Sequence, residues 1–200
     1  VAVNWLLEGE VDSATGMALH ILEHVLIGTP ASPLRKALIE SGLGEDLAGI
    51  GLEDELHQLY FSIGLKGVES RHLDEVEHLV FSTLEKLVRE GIERNAIAAA
   101  LNTTEFRLCE NNTGSYPRGL VLMRRALTTW LYDRDPFTSM GFASPLHAVK
   151  ARLSTEERYL ESLIRSQLLD NKHRTTLVLE SDPELSGREE AEERDRLQQA

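Results

Sequence analysis

The stretch from Ser13 to Gly44 constrains the fold of this chain most strongly, because it predicts two consecutive helices with clear ends. Ser13 is a suitable N-cap residue, and Gly28, with a proline two residues later, predicts the end of the first helix. Ser32 followed by a proline predicts the start of the second helix, which runs to Gly42 or to the end of the stretch. A helix pair is therefore expected near the start of the chain.

The first helix of this pair carries the pattern H-x-x-E-H, formed by His20, Glu23 and His24. At 100° per residue these side chains gather on one side of the helix, and Ala18 and Leu22 lie on the other. In inverted zincins the two histidines of this pattern bind zinc and the glutamate activates a water molecule. A zinc site also needs a third protein ligand. The motif is thus either part of a zinc site or a solvated polar helix face.

Composition limits the classes of function. The apolar content of 42% and the charged content of 27% predict a soluble globular domain. A net charge of -12 and a pI near 5.0 argue against a nucleic-acid partner. Cys109 is the single cysteine, so no disulfide framework is possible, and we predict a buried side chain.

Targeting signals are not evident in the sequence. No apolar run reaches the length of a membrane span and no signal peptide opens the chain, so we predict no membrane partner. A soluble location in the cytoplasm or in an organelle interior is expected. The missing first methionine and the immediate entry into a strand predict a piece of a longer polypeptide.

Residue periodicity predicts the remaining elements. Val1–Leu7 and Gln58–Gly67 have the composition of strands, and in the second of these, apolar residues alternate with Tyr60, Ser62, Gly64 and Lys66. This alternation predicts one buried and one polar face. Further strands are predicted at residues 48–52 and 174–180, helices at 70–90, 93–109, 118–132, 155–169 and 183–200, and a loop at 133–142. The order of elements predicts an α+β domain, an antiparallel sheet with helices packed on one face.

Three segments carry a resemblance to a known family: Leu26–Gly44, Tyr60–Gly67 and His173–Leu177. On these residues the chain resembles the insulinase or pitrilysin-like zinc metallopeptidases, and within them the presequence-protease branch. The likeness extends over nearly the whole chain. It implies a protein of two half-shells joined by a helical linker, each half made of two related α+β domains, with the zinc motif in the first domain only. The first two segments resemble the second, non-catalytic domain of the first half.

The resemblance implies an insulinase-like non-catalytic domain at residues 1–181 and the start of a charged helical linker at residues 182–200. The parent protein is then a zinc metalloendopeptidase that degrades peptides, and this segment forms part of the wall of its substrate-enclosing chamber. Zinc is expected in the parent protein and none in this fragment, for which we predict no catalytic, cofactor-binding or metal-binding residues. The implied partners are the zinc-carrying domain, the second half of the same polypeptide, and peptide substrates.

The resemblance also indicates where a third zinc ligand should be sought. In the shorter catalytic domains of the family this ligand is the second glutamate of an E-x6-E pair. Here Glu93 supplies the first glutamate, and Ala100 occupies the second position. Glu105 and Glu110 are the nearest substitutes, but Glu105 lies more than a turn away and on a different side of its helix. Near the longer offset of the presequence-protease branch, residues 119–121 are Gly, Leu and Val, so the solvated polar face is favoured.

Three functions from different classes stay open. The chain is a non-catalytic, substrate-enclosing domain, or it is itself a zinc-dependent peptidase domain using His20-Ile21-Leu22-Glu23-His24, or it is an inactive core or assembly subunit of the same fold. Loss of a partner domain would expose apolar surface, so a homodimer of the isolated fragment is also possible.

Other polar and aromatic residues give weaker signals. Arg124 and Arg125 are candidates for lining a chamber, although solvation at the surface is the favoured interpretation. Trp130 and Tyr132 are predicted to take part in core or interdomain packing.

Overall fold

The computed structural model describes residues 1–7, 12–111 and 113–199, with side chains described up to residue 197. In these ranges the strands are β1 (Ala2–Leu6), β2 (Asp46–Glu53), β3 (Tyr60–Lys66) and β4 (Arg174–Leu177). The helices are α1 (Ser13–Ile27), α2 (Pro33–Glu40), α3 (Leu73–Glu90), α4 (Arg94–Glu110), α5 (Arg118–Trp130), α6 (Ala143–Thr155), α7 (Tyr159–Leu163) and α8 (Leu185–Gln199). A π-helical segment, Ile164–Leu169, continues α7.

The strands form one antiparallel sheet in the order β2-β3-β1-β4. β1 lies in the interior of the sheet, with Val3 opposite Ile63 of β3 on one side and Thr176 of β4 on the other. The pairing of β2 with β3 is irregular between Ala48 and Gly51. The predicted α+β class is confirmed, and β2 and β4 are the edge strands.

One face of the sheet is buried beneath the helices. Val3 and Trp5 of β1 and Phe61, Ile63 and Leu65 of β3 are at most 4% exposed. Their alternation along each strand places them on the same face. Burying each such side chain contributes about 1.5–3 kcal/mol. This hydrophobic layer fixes α1 and its polar residues relative to the sheet.

The opposite face of the sheet differs from the prediction at its centre. Ser62 and Gly64 are buried although a polar, solvated face is predicted there. The Ser62 hydroxyl donates to Asn4 Oδ1 at 2.7 Å, and a Cβ on Gly64 would lie 2.0 Å from the Val1 carbonyl oxygen. Neighbouring strands therefore cover these positions, because β3 is an interior strand. Towards the sheet margins the same face is open, with Leu6 43% and Leu177 57% exposed.

Several element boundaries and one burial prediction are corrected. Asp12, not Ser13, caps α1, since its carboxylate accepts from the backbone N–H groups of the second and third residues after it. Helix α6 is not predicted at all. The helix expected over residues 155–169 is interrupted at Arg158, which has a φ of 63°. Cys109 is exposed, so its predicted burial is wrong.

The C-terminal segment lies outside the core. Every side chain described from residue 181 to residue 197 is exposed, including those of α8. The last residue of the helix predicted over 183–200 lies outside the described residues. Among the helices that the structure describes, none has both the length and the apolar content needed to cross a membrane.

Candidate functional site

A cleft of about 620 Å³ contains the H-x-x-E-H side chains, and His20, Glu23 and His24 all line it. Its other walls come from α4, from α5 and from the segment after β2, which runs from Asp54 to His57. Residues 138–142 and Pro145 of α6 also line the cleft. The structure thus brings the three motif residues to one cavity, as the helical spacing predicts. What each side chain contacts there decides whether the three can act together.

His20 is engaged by the segment after β2. Its Nε2 atom lies 2.9 Å from Asp54 Oδ2. Burial lowers the pKa of His20, but the hydrogen bond to Asp54 and the charges of Asp54 and Glu23 outweigh it, so the pKa is raised overall. The same hydrogen bond holds the pKa of Asp54 below its usual value. The imidazole is therefore stabilised in its protonated form, which cannot bind a metal ion through that nitrogen.

Glu23 is held against the backbone of β2. Its Oε1 atom accepts from the Leu52 N–H at 3.3 Å. A Cβ built on Gly51, whose φ is +76°, would lie 2.2 Å from the same oxygen. Burial raises the pKa of the Glu23 carboxyl group above its usual value. This carboxylate therefore supports the strand, and only a glycine at position 51 leaves room for it.

His24 lies against the end of its own helix. A Cβ built on Gly28 would be 2.3 Å from His24 Nδ1. Burial, and after it the positive charge of Arg107, lowers the pKa of His24 below its usual value. His24 thus favours the neutral form, whereas His20 favours the protonated form. The two imidazoles of the motif are in different electrostatic environments.

Helix α4 does not supply a carboxylate to the motif. Ala100, at the predicted ligand position, is 2% exposed in the core. The Glu105 carboxylate instead accepts from Lys150 Nζ at 2.7 Å. Thr104, Arg107 and Leu108 are the α4 residues that reach the cleft, and none of them is a carboxylate. Over residues 1–7, 12–111 and 113–199, no group of three or more His, Cys, Asp and Glu side chains has an arrangement that could hold a metal ion.

Two residues of the site do not emerge from the sequence reasoning. Arg107 follows Ala100 by seven residues, which is two helical turns, so the spacing that locates Ala100 also places Arg107 on the same side of α4. Asp54 carries no comparable signal, because it is a single acidic residue after a strand. On this side of α4, therefore, an alanine occupies the predicted ligand position, and a cation, not a carboxylate, follows it two turns later.

The other sequence candidates have mixed outcomes. Arg124 and Arg125 both line the cleft, and Arg124 forms an ion pair with Glu55. Tyr132 makes an edge-to-face contact with the ring of His57, with centroids 4.8 Å apart. Trp130 is 65% exposed, so a place in the core of this domain is ruled out, and interdomain packing stays a prediction.

The pair His20 and Asp54 predicts a pH-dependent contribution to stability. With the pKa of His20 raised, its contribution is complete below pH of about 6.5 and is lost as pH rises through the folded-state pKa. With the pKa of Asp54 lowered, its contribution is complete above pH of about 4 and is lost as pH falls through the folded-state value. The side chains are 38% and 49% exposed, so solvent screening limits the effect to about 0.5–1 kcal/mol.

The measurement is urea unfolding of the wild type and of His20→Gln at several pH values. The difference in unfolding free energy should be largest near pH 5.5 and should shrink towards pH 8.5. An Asp54→Asn variant is the matched control, and its unfolding free energy should lose the same pH-dependent contribution of the ion pair. A difference that is constant, or that grows with pH, would contradict the ion pair.

Comparison with known proteins assigns the chain to a family. A sequence profile described as "Peptidase M16 inactive domain" matches residues 1–104, more than half of the chain. The chain belongs to the M16 peptidase family, as an inactive domain. The insulinase-type resemblance carried by residues 26–44 is thereby confirmed. The word "inactive" in the description of the profile is consistent with the alanine at the predicted position of the third zinc ligand.

Relatives confirm the presequence-protease branch. The chain is 48% identical over 201 residues to "Presequence protease 1, chloroplastic/mitochondrial" of Arabidopsis thaliana, covering 99% of this chain and 19% of that protein. It is 30% identical over 200 residues to "Presequence protease, mitochondrial" of Mus musculus, covering 100% of this chain and 19% of the relative. The chain thus spans about a fifth of the length of these relatives.

Solved structures confirm the fold. The chain is similar to the inactive peptidase domain of a putative zinc protease from Bordetella parapertussis, with a TM-score of 0.63 at 15% identity, over 91% of both chains. It is also similar to a putative zinc protease from Bordetella pertussis Tohama I, with a TM-score of 0.58 at 18% identity, over 87% of this chain and 89% of the other. At these identities the likeness concerns the fold alone.

Proposed function

We propose that this chain is the second, non-catalytic domain in the first half of a zinc metalloendopeptidase that degrades peptides. Its role is to form part of the wall of a chamber that encloses the substrate. The observation that carries the proposal is the local chemistry of the cleft. His20 is paired with Asp54, Glu23 accepts from the β2 backbone, and the charge that α4 exerts on His24 is the positive charge of Arg107.

In this proposal the chain consists of one domain and the start of a linker. Residues 1–181 form the wall domain, and residues 182–200 begin a linker to the second half, which is supported by the fully exposed side chains at 182–197. Zinc and the catalytic residues are supplied by another domain of the same polypeptide. The mitochondrial and chloroplastic names of the eukaryotic relatives favour an organelle interior over the cytoplasm. The open apolar margin at Leu6 and Leu177 is where the isolated domain would form a dimer.

The catalytic part of the proposal is tested in the full-length protein. A variant with both His20→Ala and Glu23→Gln should cleave a fluorogenic peptide within about twofold of the wild-type rate, because neither residue touches the reacting bond. Its zinc content should also be unchanged. A rate loss of more than about a hundredfold together with loss of zinc would make this domain the catalytic one. A full-length protein without any zinc would instead favour an assembly subunit.

The chamber-wall part is tested by photo-crosslinking. A peptide carrying a photoreactive side chain is trapped in a full-length protein whose zinc has been removed with a chelator. Crosslinks within residues 1–181 are expected, at the cleft or on the open sheet face near Leu6. Crosslinks confined to other domains would show that this domain faces away from the substrate.

A further inference from the structure

Two guanidinium groups in the cleft have no ion-pair partner among the residues that the structure describes. Arg107 of α4 and Arg125 of α5 both line the cavity, and neither side chain forms an ion pair or hydrogen bond to any residue in the described part of the chain. Both guanidinium groups are close enough to the motif to shift the pKa values of side chains in and beside it. The charge of Arg107 adds to burial in lowering the pKa of His24, and the charge of Arg125 acts on both His20 and Asp54. Positive charge is therefore available inside the cleft.

The other charged groups of the cleft are already engaged. Asp54 is bound to His20, and Glu55 pairs with Arg124. The Glu23 carboxylate accepts from a backbone N–H of β2. The two arginines that remain face a cavity of about 620 Å³, a size typical of small-ligand sites. The charge of Arg107 acts on the Glu23 carboxyl group and that of Arg125 on Asp54, but neither guanidinium forms an ion pair with another described residue. A ligand that enters this cleft therefore meets two guanidinium groups that are available to bind it.

The walls of the cleft also suit a short peptide. Met17 of α1, Leu108 of α4 and Val121 of α5 provide apolar surface, and Thr104 and Thr128 provide hydroxyl groups. A guanidinium group binds a carboxylate through two parallel hydrogen bonds, which gives such pairs both strength and orientation. Apolar walls beside two guanidinium groups thus match a hydrophobic residue that carries a carboxylate.

We propose that this cleft binds the C-terminal carboxylate end of a peptide, with Arg107 and Arg125 as its anion-binding residues. The inference rests on the proposed function, because a chamber that cleaves peptides contains fragments with newly formed C-terminal carboxylates. Helices α4 and α5 then present guanidinium groups to an anion beside the H-x-x-E-H side chains of α1. The ligand is recognised by its carboxylate and by an apolar side chain next to it.

The test is a calorimetric titration of this chain with three peptides at about 50 mM salt. The first is N-acetyl-trileucine with a free C-terminal carboxylate, and the second is the same peptide with a C-terminal amide. The third is N-acetyl-Leu-Glu-Leu amide, which carries its carboxylate on a side chain. The free acid should bind at least about tenfold more tightly than either amide.

Variants assign the effect to the two arginines. Arg107→Ala and Arg125→Ala should each weaken binding of the free acid by about tenfold. Arg107→Lys should weaken it by less, because lysine keeps the positive charge but cannot donate two parallel hydrogen bonds to the carboxylate. Arg94→Ala is the matched control, since Arg94 is an exposed residue of α4 outside the cleft, and it should bind like the wild type. Equal melting temperatures establish that the variants are folded.

Three results would overturn the proposal. The free acid and the amide could bind equally, the arginine variants could bind like the wild type, or the glutamate peptide could bind as tightly as the free acid. The last result would reassign the site to side-chain carboxylates. These outcomes do not depend on zinc or on crosslinking in the full-length protein, so failure here is distinguishable from failure of the chamber-wall role.

Discussion

The Trp5→Ala variant is expected to lose about 3–5 kcal/mol of unfolding free energy, the largest effect that we predict for a single substitution. Trp5 is fully buried, and its ring centroid lies 6.0 Å from that of Phe61 and 5.7 Å from that of Phe81. Its indole N–H donates to the Leu168 carbonyl oxygen at 2.9 Å. One side chain therefore joins β1, β3, α3 and the π-helical segment, and alanine would leave a cavity and an unpaired carbonyl group.

Urea unfolding measures this loss, and the second tryptophan of the chain provides the control. Trp130 is 65% exposed, so Trp130→Ala should change the unfolding free energy by no more than about 0.5 kcal/mol. Trp5→Phe keeps most of the apolar volume and should cost about 1–2 kcal/mol, chiefly for the lost hydrogen bond. A cost below about 1 kcal/mol for Trp5→Ala would mean that the packing around this ring is described wrongly.

The Gly51→Ala variant is expected to lose about 2–3 kcal/mol, by a mechanism that involves the motif directly. Gly51 has a φ of +76°, which costs an alanine roughly 1 kcal/mol. The new methyl group would also lie 2.2 Å from Glu23 Oε1 and would displace the carboxylate from the Leu52 N–H. The loss thus combines backbone strain with a broken hydrogen bond.

A second glycine separates the two contributions. Gly42 has a φ of +69° and no atom within 4 Å of a built Cβ, so Gly42→Ala should cost only the strain of roughly 1 kcal/mol. In a double-mutant cycle, Gly51→Ala should cost about 1 kcal/mol less in a Glu23→Ala background. Equal costs for the two glycines, with no coupling to Glu23, would show that this carboxylate is free to turn towards a metal ion.

The sequence predicts the framework of the site well because the framework is local. Helical spacing places His20, Glu23 and His24 on one side of α1. The E-x6-E pair that the family resemblance implies locates Ala100 on α4. The contacts that decide the chemistry are between distant segments. Asp54 is 34 residues from His20, and the Glu23 bond to Leu52 spans 29 residues. Neither pairing leaves a periodic signal in the chain.

The incorrect predictions have physical causes of the same kind. Helix α6 contains Pro145 in its first turn, where proline is tolerated, and only Leu146 and Val149 follow it as buried apolar residues. A short apolar face of this size is a weak helical signal. Cys109 is apolar in character, but it lies on the outer side of α4, where burial depends on neighbouring elements. Ser62 is buried because the strand order, which the sequence does not specify, gives β3 a partner on each side.

The zinc content of this chain, purified in the presence of zinc and then dialysed, is the most direct test of an inactive M16 domain. We expect less than about 0.1 zinc ion per chain and no cleavage of a fluorogenic peptide above the buffer rate, because no third ligand completes the motif. His20→Ala and His24→Ala should leave this result unchanged. About one zinc ion per chain that is lost in either variant, together with peptide cleavage, would contradict it and make His20, Glu23 and His24 a working site.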